Sequence, residues 1–321
     1  MTACSYQSAA DHPRSARAHL TDAVTAAPPA VRQETALRYL ERLGMEHPGA
    51  PSVDALFALH RAHVARIPYE ALDIQLRRPT SVDPQEAVAR VLRGRGGYCV
   101  QLNTAFSGLL TALGYDVTWH RAGVQGSAAA PPSDASFAPH LALTVRVGGT
   151  RWLVDVGLGD ALYEPLPLRA GTYRQEPLTF GLGPSRVEPG GWRFDHDRRG
   201  SIAGIDLNMD PATTADFAKW HPYLASSAES RLVRAVVVLR RDAAGADSLV
   251  GCMLRRVDGT GRTVRELATR EEWYGALADV FGLSLAEVDA TERAALWTKV
   301  RAAHEAWVAA KAAAAATPTL P

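Results

Sequence analysis

The 321-residue chain is poor in the features that announce several function classes. It has only three cysteines, Cys4, Cys99 and Cys252, odd in number, scattered and without a C-x-x-C pair. That argues against a disulfide framework and a structural zinc site, and fits a reducing compartment. An excess of one charge is also missing, since 35 Lys and Arg against 34 Asp and Glu leave a formal net charge of +1. No broad field is available to draw in nucleic acid or an anionic membrane, so neither is an expected partner. No uncharged apolar run is long enough to span a bilayer. The N-terminus has no basic segment followed by an apolar stretch, so no signal peptide is expected. The expected location is cytoplasmic. Hydrophobic residues at 47% and charged residues at 21% are ordinary for a globular protein.

What is present divides by periodicity. Residues 1–31 are rich in Ala, Ser, His and Pro and read as an N-terminal extension, a candidate for disorder. From Thr35 to Gly114 the spacing is helical. Leu37, Leu40 and Leu43 precede Gly44, Ser52 is placed to cap a helix, and Asp83-Pro84 to open another. From Tyr115 to about Leu207 the period falls towards two, with short strands between glycines and prolines, as in a small barrel or sandwich. Beyond Thr213 strands and helices mix, with a strand expected over Ala235–Leu239 and a helix over Ser284–Trp307. The expected units are helical over 32–120, mostly β over 121–212 and α/β over 213–310, with a frayed tail over 311–321.

Cys99 follows the glycine-rich turn Arg93-Gly-Arg-Gly-Gly-Tyr98 and opens an apolar helix carrying Leu102, Phe106, Leu109 and Leu113. Unpaired N–H groups and the dipole at a helix start favour a thiolate there. The glycines permit a tight turn and a close approach of substrate to backbone. By itself this cysteine also suits a packing role. Cys4 falls in the extension and Cys252 on an expected strand.

A hairpin supplies partners. If Gly148-Gly149 is a two-residue turn, Val147 faces Thr150, Val145 faces Trp152 and Leu143 faces Val154. His140 and Asp155 then share a face as diagonal neighbours, where a carboxylate can orient an imidazole. A one-residue slip would separate them. Alone, His140 suits a core or surface role and Asp155 a strand-end hydrogen bond. Together each supplies what the other needs, because burying an unpartnered charge is costly.

These segments resemble the arylamine N-acetyltransferase family. The likeness is carried by Arg95-Gly-Gly-Tyr-Cys99-Val-Gln-Leu-Asn103, His140-Leu-Ala-Leu, Trp152-Leu-Val-Asp155-Val-Gly-Leu-Gly159 and Ile67-Pro-Tyr69-Glu70-Ala-Leu-Asp73, within a span of about Thr35 to Ala309. It implies an α+β fold: a cysteine-protease-like core of helical domain, β-barrel and α/β lid. It also implies a Cys99–His140–Asp155 triad acting by a ping-pong route. Acetyl-coenzyme A is the implied co-substrate, with no permanently bound cofactor and no metal, and a small-molecule arylamine is the implied acceptor. Glu70 and Arg95 match an ion pair that braces the active-site turn; a solvated salt bridge is the plainer reading. Tyr69, Val124 and Leu158 match pocket-lining positions, which core packing would equally explain. Gly157 and Gly159 match a loop beside the cofactor.

The chain departs from the family pattern in places. Ala71 replaces a usual Asn, Leu158 a usual Phe and Asp160 a usual Gly or Arg, and the segment Ala225–Ser230 lacks a His-Pro pair. These changes bear on the acceptor pocket. They keep open an amide synthase that releases a polyketide chain from an acyl carrier protein as a macrolactam. A cysteine hydrolase and an inactive binding protein are the remaining alternatives. His60 and His63 lack an acidic or cysteine ligand set, so solvated or packing roles are expected rather than metal binding. Gly94-Arg-Gly-Gly lacks the lysine of a phosphate loop.

Overall fold

The computed structural model describes residues 29–136 and 139–316. The N-terminal part contains α1 (Gln33–Arg42), α2 (Val53–Arg66), β1 (Tyr69–Glu70), α3 (Leu72–Gln75), α4 (Pro84–Leu92) and α5 (Cys99–Ala112). The caps are where the sequence places them. Ser52 accepts from Ala55 N, and Asp83 accepts from Gln85 N and Glu86 N ahead of Pro84. Helix α5 is buried on nearly every side, as its apolar composition requires. It packs between α1 and α4 on one side and the barrel on the other.

The central part is an antiparallel sheet of eight strands: β2 (Asp116–Gln125), β3 (Pro139–Val147), β4 (Thr150–Val154), β5 (Leu166–Pro167), β6 (Gly171–Gln175), β7 (Leu178–Pro184), β8 (Trp192–Asp195) and β9 (Gly204–Pro211). Their order is β5-β4-β3-β2-β9-β8-β7-β6. The sheet curls until its edges meet through side chains. Tyr173 Oη on β6 donates to Arg169 O (2.7 Å), and Gln175 Nε2 donates to Glu164 O (2.8 Å). Phe180, Phe194, Ile205, Leu207, Leu153 and Ala142 fill the interior.

The C-terminal part holds α6 (Thr214–Ala218), α7 (His221–Ser226), α8 (Arg231–Arg234), β10 (Val237–Arg241), β11 (Gly245–Val250), β12 (Met253–Asp258), β13 (Gly261–Glu266), α9 (Arg270–Asp279) and α10 (Ala290–Ala316). Strands β10–β13 form a second antiparallel sheet, to which β1 adds across a long connection. This strand addition sets Tyr69 beside Leu239 and couples the helical part to the second sheet. The described chain is α+β, with helices flanking a nearly closed barrel.

Several expected elements shift. The C-terminal helix begins at Ala290 rather than Ser284, because Leu285 adopts a left-handed φ of 50° and Asp289 caps the helix by accepting from Thr291 N and Glu292 N. It then continues through Ala316, past the expected start of the tail. Cys252 lies in the turn between β11 and β12, not on a strand, and is fully buried. The expected strand over Ala235–Leu239 runs instead over Val237–Arg241. Cys4 and most of the expected extension lie outside the described residues.

Candidate active site

Three segments deliver the site. The first is the start of α5. Gly94 has a φ of +79°, and a Cβ on Gly96 would lie 1.9 Å from Pro68 O, so this turn exists only with glycine. What approaches the backbone at Gly96 is therefore the chain entering β1, not open space for a substrate. Glu70 N donates to Gly97 O at 2.9 Å and closes the contact. Cys99, the first residue of α5, remains half-exposed.

The second and third segments belong to the hairpin β3–β4. Gly148 and Gly149, with φ of 59° and 71°, form the two-residue turn, and the register is Val147↔Thr150, Val145↔Trp152, Leu143↔Val154. The ladder stops at Val154. Asp155 leaves the sheet one residue later, free to turn its carboxylate towards His140. His140 Nε2–H donates to Asp155 Oδ2 at 2.6 Å, with both side chains buried. The other ring nitrogen, Nδ1, is left for the Cys99 sulfur, whose influence reaches the ring. Burial alone would push the imidazole's pKa down. The Asp155 carboxylate and the Cys99 sulfur outweigh it and push His140 up to about 10. The arrangement favours an imidazolium between two partners that each stabilise its charge.

Asn103, four residues after Cys99 on α5, is a site residue whose role the sequence reading missed. Its Nδ2 donates to Asp155 Oδ1 (2.8 Å) and Leu141 O (2.5 Å), and its Oδ1 accepts from Val156 N (3.0 Å). Gly157 N donates to the same Asp155 oxygen at 2.9 Å. One carboxylate oxygen is thus fixed by two donors and the other faces His140. A polar residue one helical turn from the cysteine, in an otherwise apolar helix, was the available signal.

Glu70 and Arg95 do pair, at 3.1 Å, but not as a solvated bridge. They belong to a buried network. Arg90 pairs with Glu70 (2.9 Å) and Asp73, and Arg95 also pairs with Asp73 (3.1 Å) and Glu287 (2.6 Å). Arg90 Nε donates to Gly96 O at 3.1 Å, tying the network to the turn before Cys99. The two arginines hold the Asp73 carboxyl below its ordinary range despite its burial.

Tyr69 is half-buried beside Cys99; burial, and then the neighbouring sulfur, push its hydroxyl upward. Val124 packs against the barrel cluster that includes Leu158. Gly157 and Gly159 have packing reasons of their own. A Cβ on Gly157 would lie within 2.9 Å of Cys99 Cα, and one on Gly159 2.7 Å from Tyr69 and Leu239. A surface cavity of about 290 Å³ lies elsewhere, against the turn Leu43-Gly44-Met45 after α1, helix α2 and Tyr163. His60 and His63 are fully buried rather than solvated. Burial holds His60 down at about 4 although Tyr163 O accepts from its ring at 3.0 Å. Among the described residues no three His, Cys, Asp or Glu side chains gather to hold a metal, and no helix is long and apolar enough to cross a membrane.

Helix α7 reaches the same turn. His221 Nε2–H donates to Thr80 O (2.7 Å), so its Nδ1 accepts from Tyr98 Oη–H (2.7 Å). A His-Pro pair is thus present at 221–222, ahead of the 225–230 segment where it was expected and absent.

The family profile described as N-acetyltransferase matches residues 52–290. The chain is 36% identical over 143 residues to the arylamine N-acetyltransferase / N-hydroxyarylamine O-acetyltransferase of Salmonella typhimurium, a match covering 43% of this chain and 49% of that protein. It is 33% identical over 150 residues to proansamycin X synthase of Amycolatopsis mediterranei, covering 45% and 56% respectively. The chain thus spans about half the length of these two curated relatives. The solved arylamine N-acetyltransferase of Mycobacterium abscessus superposes with a TM-score of 0.72 at 28% identity, covering 82% of this chain and 94% of that one.

Proposed function

Since this chain belongs to the N-acetyltransferase family, we propose that it transfers an acyl group from a thioester to an arylamine nitrogen through a thioester on Cys99. The observation that carries the reading is the buried His140–Asp155 hydrogen bond beside the half-exposed Cys99 sulfur, whose influence raises the imidazole. In the first step the Cys99 thiolate attacks the carbonyl of the donor, acetyl-coenzyme A in the simplest case. The donor's sulfur leaves and takes the proton from His140. In the second step the amine attacks the Cys99 thioester, neutral His140 removes the amine proton, and Cys99 departs as thiolate. Asp155, fixed by Asn103 and Gly157 N, holds the imidazole in one orientation throughout. Glu70 and Arg95 brace the turn that presents the sulfur. Tyr69, Val124 and Leu158 line the acceptor side, and Gly157 and Gly159 the donor side. The units 32–120, 121–212 and 213–310 serve as nucleophile-bearing helical domain, barrel and lid of a cytoplasmic enzyme.

A second reading is an amide synthase acting on a chain held by an acyl carrier protein. One observation favours it: the likeness to proansamycin X synthase at an identity close to that of the transferase. Intact-mass measurement after incubation with acetyl-coenzyme A, with Cys99→Ala as control, tests the reading. One acetyl group on the wild type alone is expected. Loading only from longer acyl thioesters favours the synthase, and no loading from any thioester refutes both.

A further inference from the structure

The His221-Pro222 pair that opens α7 has no part in the acyl-transfer steps, yet its histidine reaches the residue next to the nucleophile. Tyr98, directly before Cys99, is 1% exposed, and its hydroxyl bonds to His221 at 2.7 Å. The two rings are nearly coplanar, at 6°, as a hydrogen bond in the ring plane requires. A buried hydroxyl left without a partner is costly, so the position of the Tyr98 side chain is tied to that of His221.

Two tethers leave the residues around Cys99 and end on one segment. From α5, Gln101 Oε1 accepts from Tyr98 N (3.3 Å), and Gln101 Nε2 donates to Thr80 Oγ1 and Ser81 O (2.8 Å each). From α7, His221 Nε2–H donates to Thr80 O (2.7 Å) while its Nδ1 accepts from Tyr98. The first tether is local to the helical part; the second spans 141 residues to Thr80 and 123 to Tyr98. The anchor is itself fixed, since Ser81 Oγ accepts from the N–H of Asp83, the cap of α4, at 2.8 Å. The polarity of the second tether has one solution. Thr80 O can only accept, so His221 carries its proton on Nε2 and offers Nδ1 as acceptor. Burial, and then the Cys99 sulfur, hold the Tyr98 phenol protonated, so it donates.

We propose that His221 is a positioning residue for the nucleophile: by holding the Tyr98 hydroxyl against Thr80, it fixes the start of α5 so that the Cys99 sulfur stays within reach of His140. The inference rests on the reading of Cys99 as the nucleophile, but the latch itself can be measured without turnover. The turn before Tyr98 is held separately, by Arg90 on Gly96 O and by Glu70 N on Gly97 O. Loss of the latch therefore leaves the turn in place and releases its last residue. Because α7 lies between β9 and β10, the latch ties the reactivity of the sulfur to the connection between the barrel and the second sheet.

The test uses full-length His221→Ala, the milder Tyr98→Phe, which removes one oxygen and keeps the ring, and the double variant. Alkylation by iodoacetamide is timed across a range of pH and read on the Cys99 peptide by mass spectrometry, which separates it from Cys4 and Cys252. Each single variant is expected to lower the rate near neutral pH about tenfold and to raise the midpoint of the pH profile by about one unit, as the thiolate loses its imidazolium partner. The double variant is expected within about twofold of the slower single variant, since both changes break one bond. An unchanged midpoint in both single variants overturns the proposal, even where urea unfolding shows lost stability, because the bond would then serve the fold alone. Losses that multiply in the double variant overturn it as well. If the midpoint shifts as expected but wild-type Cys99 accepts no acyl group from any thioester, the latch stands and the acyl-transfer reading falls.

Discussion

Two histidines flank the same aspartate and meet opposite electrostatic fates. His140 faces the Asp155 carboxylate, and His60, on α2, lies against the Asp155 backbone and Tyr163 O. Both are buried. Burial penalises the charged imidazole in each, but the Asp155 carboxylate and the Cys99 sulfur reverse that penalty for His140, whereas for His60 the backbone carbonyls and the more weakly felt Asp155 and Glu164 charges only soften it. One is raised to about 10, the other lowered to about 4. Burial therefore does not decide whether a histidine is charged; the formal charge of its hydrogen-bond partner does. The region around His140 is built to hold ions, and the region behind it to exclude them.

The largest way to break this comparison is to remove the carboxylate's charge. Asp155→Asn keeps the shape of the site but deprives His140 of its anion, and kcat/KM is expected to fall about a thousandfold or more. Steady-state kinetics over a range of pH would show this, and a loss under tenfold would mean that Asp155 does not set the state of His140. Next comes the buried network below the turn. Glu70→Ala removes the one fully buried carboxylate of the network, leaving Arg90 and Arg95 to share Asp73 and the half-exposed Glu287, and is expected to cost about 3–5 kcal/mol in denaturant unfolding. A cost below about 1 kcal/mol would mark the pair as solvated after all.

The two histidines also predict stability against pH. His60 has a folded pKa below its unfolded value, so the unfolded chain binds more protons between about pH 4 and 6.5. Its contribution is complete above that window and is lost as pH falls through it, by roughly 3 kcal/mol. His120 and His63, both lowered by burial, act in the same direction. His140, with its raised pKa, stabilises below about pH 6.5 and loses that contribution as pH rises towards 10. Urea unfolding across this range should give a dome, and His60→Gln should flatten its acid limb alone. The smallest effect concerns neither histidine directly. Ser52→Ala removes the cap of the helix that carries His60 and should lower stability by about 1 kcal/mol without changing the kinetics.

How far the sequence reached also differs between these regions. The hairpin register was legible as far as Leu143 and Val154, because a two-glycine turn and strict alternation leave one pairing; the expected diagonal placement of Asp155 on the sheet was not, since the ladder stops at Val154 and Asp155 meets His140 from outside it. The glycine turn before Cys99 was legible as a turn. Its reason was not, because Gly96 is required by Pro68 O, which only the fold brings near. Arg90, Asp73 and Glu287 join Glu70 and Arg95 from separate segments, and no local pattern announces such a network. The choice between solvated and packing roles for His60 and His63 stayed open for a related cause. Their side of α2 packs against Phe106 of α5, so their environment belongs to another helix.

The most direct test is a nitrogen NMR titration of the His140 ring in the wild type and in Cys99→Ala. An imidazolium that persists above about pH 8 in the wild type, with a midpoint that moves down when the sulfur is removed, is the predicted result. An ordinary midpoint near about 6.5 in both proteins would contradict the account.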